Sequence, residues 1–191
     1  MASAHSGDRM RKLIVSNVMS LDGFFEGRNP DKGLDWFVPD EEFFAYAKDM
    51  LRAVDTILFG RVTYLHMLNY WPSAPPDEIA DQMNNLPKIV FSSTLKSAEW
   101  NNTKLVKSSI EEEVSRLKQQ PGKDMVVLGS AKLASFLLQV GLIDEYRIIL
   151  SPVLLGCGNP LFTGMTERIH MKLLATKVFA SGTVLLSYQK S

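Results

Sequence analysis

The sequence predicts an α/β fold with a mainly parallel central sheet, helices on its flanks and an antiparallel hairpin at the C-terminal end. Short apolar, β-branched runs alternate with segments of helical apolar spacing as far as residue 151, the order that builds a parallel sheet. Residues 169–178 and 183–189 are then two strand-like runs joined by Ala180-Ser181-Gly182, the pattern of a tight hairpin. The chain has 191 residues, 46% of them hydrophobic, which suits a single packed domain.

Each element follows from local chemistry. Residues 11–19 (RKLIVSNVM) are apolar and β-branched after Lys12 and read as a buried strand, ended by Ser20-Leu21-Asp22-Gly23. Residues 24–38 are rich in Gly, Asn, Asp and Pro and read as a long loop carrying Phe24, Phe25 and Trp36. Pro39 opens a helix whose Phe43, Phe44, Ala47, Met50, Leu51 and Val54 recur at helical spacing. Asp40, Glu41 and Glu42 fall in its first turn, where the helix dipole favours acids. Residues 55–59 form a short strand, Gly60 follows, and Arg61 to Asn69 read as helix. Three prolines break the chain between Trp71 and Pro76, and a polar helix covers 77–85. Strands are expected at 88–91 and 103–107. Ser109-Ile110-Glu111-Glu112 starts a helix that Pro121-Gly122 stops. Met125 to Leu128 is a strand, followed by Gly129-Ser130 and a helix with Leu133, Phe136, Leu137 and Val140 on one face. Residues 145–151 are a strand and 153–162 a Gly/Pro loop.

Charge narrows the function classes. Lys plus Arg number 21 against 21 Asp plus Glu, so a general nucleic-acid or anionic-membrane binder is excluded. A local basic site is still compatible with that balance. Cys157 is the only cysteine and rules out an intrachain disulfide; His5, His66 and His170 are too scattered for a metal site. The longest mostly apolar stretch, 133–143, falls short of the ~20 residues a spanning helix needs, and a cytoplasmic protein is expected. Residues 1–9 are polar and read as a disordered tag or leader, leaving 10–191 as the domain.

Three strands end in small or hydroxyl residues: Gly60-Arg61-Val62-Thr63, Ser92-Ser93-Thr94 and Gly129-Ser130-Ala131. Glycine lets a phosphate approach the backbone, and a helix N-terminus offers unpaired N–H groups to it. In a parallel sheet these turns converge on one crevice, to which Arg61 adds a cation. One such turn alone is commonly only a tight turn; three together favour a site for a phosphorylated nucleotide. Neither GxGxxG nor GxxxxGK[ST] occurs.

These residues carry a resemblance. Ser20-Leu21-Asp22-Gly23, Leu58-Phe59-Gly60-Arg61-Val62-Thr63-Tyr64, Lys88 to Ser93, Val127-Leu128-Gly129-Ser130 and Gly141 to Phe162 follow in the order of the dihydrofolate reductase-like superfamily. The chain most resembles the branch that includes the reductase domain of riboflavin-biosynthesis enzymes. That resemblance implies a dihydrofolate reductase-like sheet and an NADPH-dependent oxidoreductase acting on a small pterin- or pyrimidine-like heterocycle. It implies Arg61 at the 2′-phosphate, with Gly60 and Thr63 in the same phosphate-binding turn. Ser92 and Ser93 would lie beside the adenosine phosphate, and Gly129, Ser130 and Ala131 at the pyrophosphate. Val18 and Ser20 would lie against the nicotinamide. Homodimers are common in that branch, and the apolar C-terminal strands suit one. Lys96 and Lys132 are further cations near these turns or ordinary solvated lysines. The chain departs from the pattern at Leu128-Gly129, where dihydrofolate reductases carry Gly-Gly. It departs again at Phe24-Phe25-Glu26, where riboflavin-pathway domains carry a lysine for the phosphosugar. The second departure puts a ribosylamino-pyrimidine phosphate substrate in doubt.

Hydride transfer to C=N or C=O also needs a proton. Asp22 is one candidate acid and equally an Asp-Gly turn residue. Glu41 is the other, since Trp36…Pro39-Asp40-Glu41 resembles the tryptophan, proline and acid that open the first helix of dihydrofolate reductases. Its alternative is a solvated first-turn acid. Phe25, Trp36 and Tyr64 are the candidate contacts to a flat substrate, and no metal is expected. The competing class is a non-catalytic nucleotide-binding or scaffold protein that retains the fold.

Overall fold

The computed structural model describes residues 9–29 and 33–191. The leader read over 1–9 lies outside them except for Arg9, whose guanidinium pairs with Asp124 at 2.6 Å. Residues 30–32 of the expected loop also lie outside the described residues.

The strands are β1 (Leu13–Ser20), β2 (Phe24–Gly27), β3 (Val54–Gly60), β4 (Lys88–Phe91), β5 (Thr103–Val106), β6 (Asp124–Leu128), β7 (Glu145–Ser151), β8 (Gly158–Pro160), β9 (Met171–Val178) and β10 (Val184–Lys190). The helices are α1 (Glu41–Ala53), α2 (Arg61–Tyr70), α3 (Glu78–Asn85), α4 (Ile110–Lys118) and α5 (Ala131–Gln139). Eight strands form one sheet in the order β5-β4-β3-β6-β1-β7-β10-β9. From β5 to β7 every pairing is parallel; β10 joins antiparallel to β7 and to β9. The expected α/β fold, a mainly parallel sheet with a C-terminal antiparallel hairpin, is therefore the observed one.

Period-two alternation divides the sheet between two cores. Leu13, Val15, Leu58, Met125, Val127 and Tyr146 pack on one face beneath α4 and α5. Ile14, Ile57, Phe59, Val90 and Val126 pack on the other with residues of α1, α2 and α3. A third cluster, Val18, Ile149, Phe179 and Leu185, meets Trp36, Phe37, Phe43 and Tyr46.

Two stretches expected as loops contain strands. β2 lies within 24–38 and β8 within 153–162, and they pair antiparallel as a separate two-stranded sheet. Neither has alternating apolar residues, because the ladder rests on backbone groups and on the close approach of Gly158 to the Glu26 carbonyl. The first helix begins two residues after Pro39: Asp40 is its N-cap, its carboxylate accepting from the Phe43 N–H. The break after α2 holds a single 3-10 turn, Trp71–Ser73.

The sheet also buries one cation. Lys88 is 1% exposed, and its ammonium donates to the carbonyls of Met83, Asn84 and Leu86 at 2.7–3.0 Å. It thus satisfies the C-terminal end of α3 and stands 4.5 Å from the centre of the Trp100 ring. A Lys88→Met variant leaves those acceptors without their shared donor. It is expected to lose about 2–3 kcal/mol, read as a lower melting temperature by circular dichroism; an unshifted melt would show that water replaces the ammonium at no cost.

Candidate functional site

The carboxyl ends of β4, β3, β6 and β1 lie side by side. The Ser92, Gly60, Gly129 and Ser20 turns therefore stand in one row. α2 leaves β3 toward the Phe59–Tyr64 core, and α5 leaves β6 toward the Leu133 core, so the chain departs to opposite faces at adjacent strands. This is the place in an open α/β sheet where ligands bind.

The helix starts differ in how they are finished. Asp40, Asp77 and Ser109 cap α1, α3 and α4 with side-chain acceptors. α2 and α5 have no side-chain cap. Among the described residues, the two helices that begin at the crevice are the ones whose first N–H groups are left for something else.

The predicted hydroxyls hold these two starts together. The Gly60 N–H donates to the Ser130 Oγ at 2.8 Å, and the Ser130 N–H donates to the Thr63 Oγ1 at 2.9 Å. Gly129 and Ser130 both have left-handed backbone, φ +65° and +59°. At Gly129 a Cβ would stand 2.7 Å from the Thr63 methyl, so glycine is needed for space as well as for φ. Thr63 and Ser130 are thus brought into the crevice, as each other's partners.

Ser20 is fully buried; its Oγ donates to the Asp22 carboxylate and accepts from the Phe24 N–H. The Ser92 Oγ accepts from the Thr94 and Leu95 N–H groups, and Ser93 beside it is exposed. Val18 lies in the third cluster, under Trp36. Arg61 at the start of α2 and Lys132 in the first turn of α5 are exposed and, among the described residues, make no ion pair.

Charge is segregated along the strands. Around their amino ends the ions are paired: Arg9 with Asp124, Arg11 with Asp55, Lys12 and Arg147 with Glu145, and Lys118 with Asp144. Among the described residues no carboxylate forms an ion pair with Arg61, Lys96 or Lys132 at the other end.

Two expected roles are corrected, those of Tyr64 and Asp22. Tyr64 is 1% exposed, tilted against Trp100 in the core, with its hydroxyl accepting from the Trp100 backbone N–H; it does not line the crevice. It sits on the inward side of α2, which a short amphipathic pattern does not distinguish from the side facing the crevice. Asp22 is a clasp: its carboxylate accepts from the Leu155 and Gly156 N–H groups and from Ser20. The Ser20 hydroxyl first, with the two amides, outweighs the opposing effect of burial and holds it below the usual carboxylate range, so near neutral pH it is ionised and has no proton to donate. The acids of α1 do not face the crevice as a group. Asp40 accepts from the Ser181 N–H and Glu42 from the Ala180 N–H, clasping the β9–β10 turn; Glu41 is exposed and has no such bond.

Asp40 is also held low, first by the Phe43 N–H and then by Ser181. For both aspartates the folded pKa is below the unfolded value of 3.8, so their contribution to stability is present above that value. It is lost as pH falls through the lower folded values. The melting temperature is expected to drop as pH falls below about 4. An Asp22→Asn, Asp40→Asn double variant should melt lower at neutral pH and show a flatter acid slope; parallel slopes would contradict the two clasps.

Phe25 and Trp36 are half-buried, and Trp36 joins Arg28, Asp35, Leu155 and Cys157 around a cavity of about 260 Å³. The Trp36 indole N–H is buried without an acceptor. A residue not anticipated is Asn17, 3% exposed, with neither amide atom hydrogen-bonded. Ser16 pairs with Leu128, so Asn17 stands one step further along, level with Gly129. Its register opposite Ile148 puts it on the α5 face. The signal is an amide among the mostly apolar residues of β1. An unpartnered buried amide costs about 1–3 kcal/mol and marks a place where a polar group is missing. Among the described residues no cluster of three His, Cys, Asp or Glu could hold a metal ion, and no helix is long and apolar enough to cross a membrane.

Comparison with known proteins agrees with this architecture. The model of the RibD C-terminal domain family matches residues 11–185. The uncharacterised protein YyaP of Bacillus subtilis (strain 168) is 37% identical over 186 residues, spanning 94% of this chain and 95% of that protein. A putative riboflavin biosynthesis protein from Shewanella sp. PV-4 superposes with a TM-score of 0.74 at 24% identity, over 94% of this chain and 99% of that one. The dihydrofolate reductase of Enterococcus faecalis, solved with NADP(H), has a TM-score of 0.65 at 16% identity, over 94% of this chain and 96% of that one.

Proposed function

The chain belongs to the RibD C-terminal domain family, and from that premise we propose that it is an NADPH-dependent reductase of a small heterocyclic, pterin- or pyrimidine-like substrate. The observation that carries the reading is the pair of uncapped helix starts, α2 and α5, side by side at adjacent strand ends, with the exposed Arg61 as the first residue of α2. The residues present fit the cofactor: free N–H groups and a cation for phosphates, and an orphaned amide at Asn17 beside them.

In this reading Arg61 holds the 2′-phosphate. The first N–H groups of α5, following Gly129-Ser130-Ala131, take the pyrophosphate, and the turn at Ser92 and Ser93 takes the adenosine side. Gly60, Thr63 and Ser130 fix the spacing of the two helix starts, and Val18 and Ser20 form the strand wall behind them. Phe25 and Trp36 offer flat apolar surface to the heterocycle. The bound cofactor would supply the hydride. Glu41 has the unengaged carboxyl of the α1 acids and is the protein acid to test. The working form is a cytoplasmic homodimer.

Thermal melts with NADPH and NADH test binding, since a ligand of the folded state raises the melting temperature. Oxidation of NADPH with a panel of pterins and pyrimidines tests turnover. No shift with either cofactor overturns the proposal. A shift without turnover of any panel member favours the competing reading, a nucleotide-binding protein that retains the fold, which the engagement of Asp22, Asp40 and Glu42 supports. In the active enzyme, Glu41→Gln should lower kcat while leaving the NADPH-induced shift intact; an unchanged kcat would assign the proton to water.

A further inference from the structure

The α1 side of the sheet carries a polar row inside its core. Ser16, Arg147 and Ser187 stand opposite one another on β1, β7 and β10. Two residues further along the strands, Val18, Ile149 and Leu185 form the apolar row of the third cluster, met by Trp36, Phe43 and Tyr46. Ser16 and Ser187 are buried, and the Arg147 side chain is 21% exposed, so its end still reaches solvent.

Donors outnumber acceptors here. The Arg147 Nε donates to Glu145 at 2.7 Å, while its two terminal nitrogens close no hydrogen bond among the described residues. The Tyr46 hydroxyl faces Arg147 and Ser16, and it is buried without a hydrogen bond to either. Burial, partly offset by Arg147, raises the Tyr46 pKa, so the phenol keeps its proton and is a further donor. The Trp36 indole N–H in the same cluster is also buried without an acceptor. Buried polar groups are paired as a rule, and a group of unpaired donors marks a place for acceptors.

Charge is out of balance in the same direction. The Glu145 carboxylate that pairs with Arg147 is shared with Lys12 at 3.6 Å. Two cations on one carboxylate leave a positive charge beside the row. A guanidinium with its planar end free matches a carboxylate through two parallel hydrogen bonds.

We infer that Arg147, helped by Tyr46, determines the specificity of the proposed reductase, and that its substrate is a heterocycle carrying a carboxylate on the edge remote from the nicotinamide. This rests on the proposed function and narrows its substrate class. Two residues along a strand span about 6.6 Å, close to the width of one ring. A ring that lies against Val18 beneath Trp36 therefore brings its far substituent to the Arg147 row. The ring meets the apolar row, and the carboxylate accepts from the Arg147 terminal nitrogens and the Tyr46 hydroxyl. An amino-substituted edge would set donors against donors.

Calorimetric titration of the full chain, with and without saturating NADPH, tests this with two matched pairs: orotate against uracil, and pterin-6-carboxylate against pterin. At least one carboxylate should bind at least tenfold tighter than its parent ring, and added salt should shrink the advantage. Arg147→Gln should bring that carboxylate down to the affinity of its parent while the parent is unchanged. Tyr46→Phe removes an oxygen that has no hydrogen bond, so a normal circular dichroism spectrum is expected. It should still lose several-fold in carboxylate affinity, and it keeps the test open if Arg147→Gln fails to fold. The NADPH-induced melting shift should persist in both variants. A wild type that prefers neither carboxylate, or a preference that Tyr46→Phe and a folded Arg147→Gln both leave intact, overturns the role of Arg147 while the reductase reading stands on its NADPH shift. A wild type without that shift fails the reductase reading, and the titrations without cofactor then report on Arg147 alone.

Discussion

Gly129→Ala is expected to lower the melting temperature by roughly 6–12 °C and to remove the shift produced by NADPH. Two costs act together. Alanine is strained at φ +65°, and its Cβ would stand 2.7 Å from the Thr63 methyl and 3.2 Å from the Thr63 hydroxyl. Strain of this kind and overpacking each cost about 1–3 kcal/mol, about 3 kcal/mol together after partial relaxation. The displaced group is Thr63, which fixes Ser130, so the α5 start moves relative to α2 and the two stop serving one ligand. Adding Thr63→Ser removes the clashing methyl and keeps the hydroxyl, so the double variant should recover part of the loss. A Gly129→Ala protein that melts and binds like the wild type would mean that the crevice does not depend on this contact.

Arg61→Ala should weaken NADPH about tenfold or more, equivalent to at least ~1.4 kcal/mol, and leave NADH nearly unchanged. The guanidinium is exposed and without an ion pair, so its removal breaks nothing in the fold and the melt without cofactor should not move. A 2′-phosphate offers the charged partner that the protein itself does not, and NADH lacks that group. Salt should weaken NADPH binding in the wild type more than in the variant. Equal loss of both cofactors would sink the 2′-phosphate role and leave Arg61 as a general contributor to the field of the crevice.

The row of turns was legible because strand ends written as Gly60-Arg61, Ser92-Ser93 and Gly129-Ser130 are local signals, and a parallel sheet forces them to one end. The use of their hydroxyls was not legible. Thr63 and Ser130 are 67 residues apart, and the bond between them depends on β3 and β6 being neighbours. Separation in sequence also hid β2 and β8, joined across more than 130 residues. Tyr64 shows a different limit. Its type suits either a ligand or a core, and only the side of α2 it occupies decides between them. At α1 the acid run was visible, but the Ala180–Ser181 turn that engages Asp40 and Glu42 belongs to the other end of the chain.

The third core cluster also constrains how the protein is made. It joins Val18, Trp36, Phe43 and Tyr46 to Ile149, Phe179 and Leu185, and Asp40 clasps Ser181 a few residues before the last strand. A nascent chain leaving the ribosome can pair β3 with β4 and β4 with β5 early, since those strands lie close in sequence. β1 has neither β6 nor β7 beside it until most of the chain has been synthesised. Its Val18 is not covered until Phe179 and Leu185 have emerged. The wall set behind the nicotinamide in the proposed reading is thus the last of these parts to close, and a chain held on the ribosome before β9 and β10 emerge would have the strands of its nucleotide turns in hand and that wall still open.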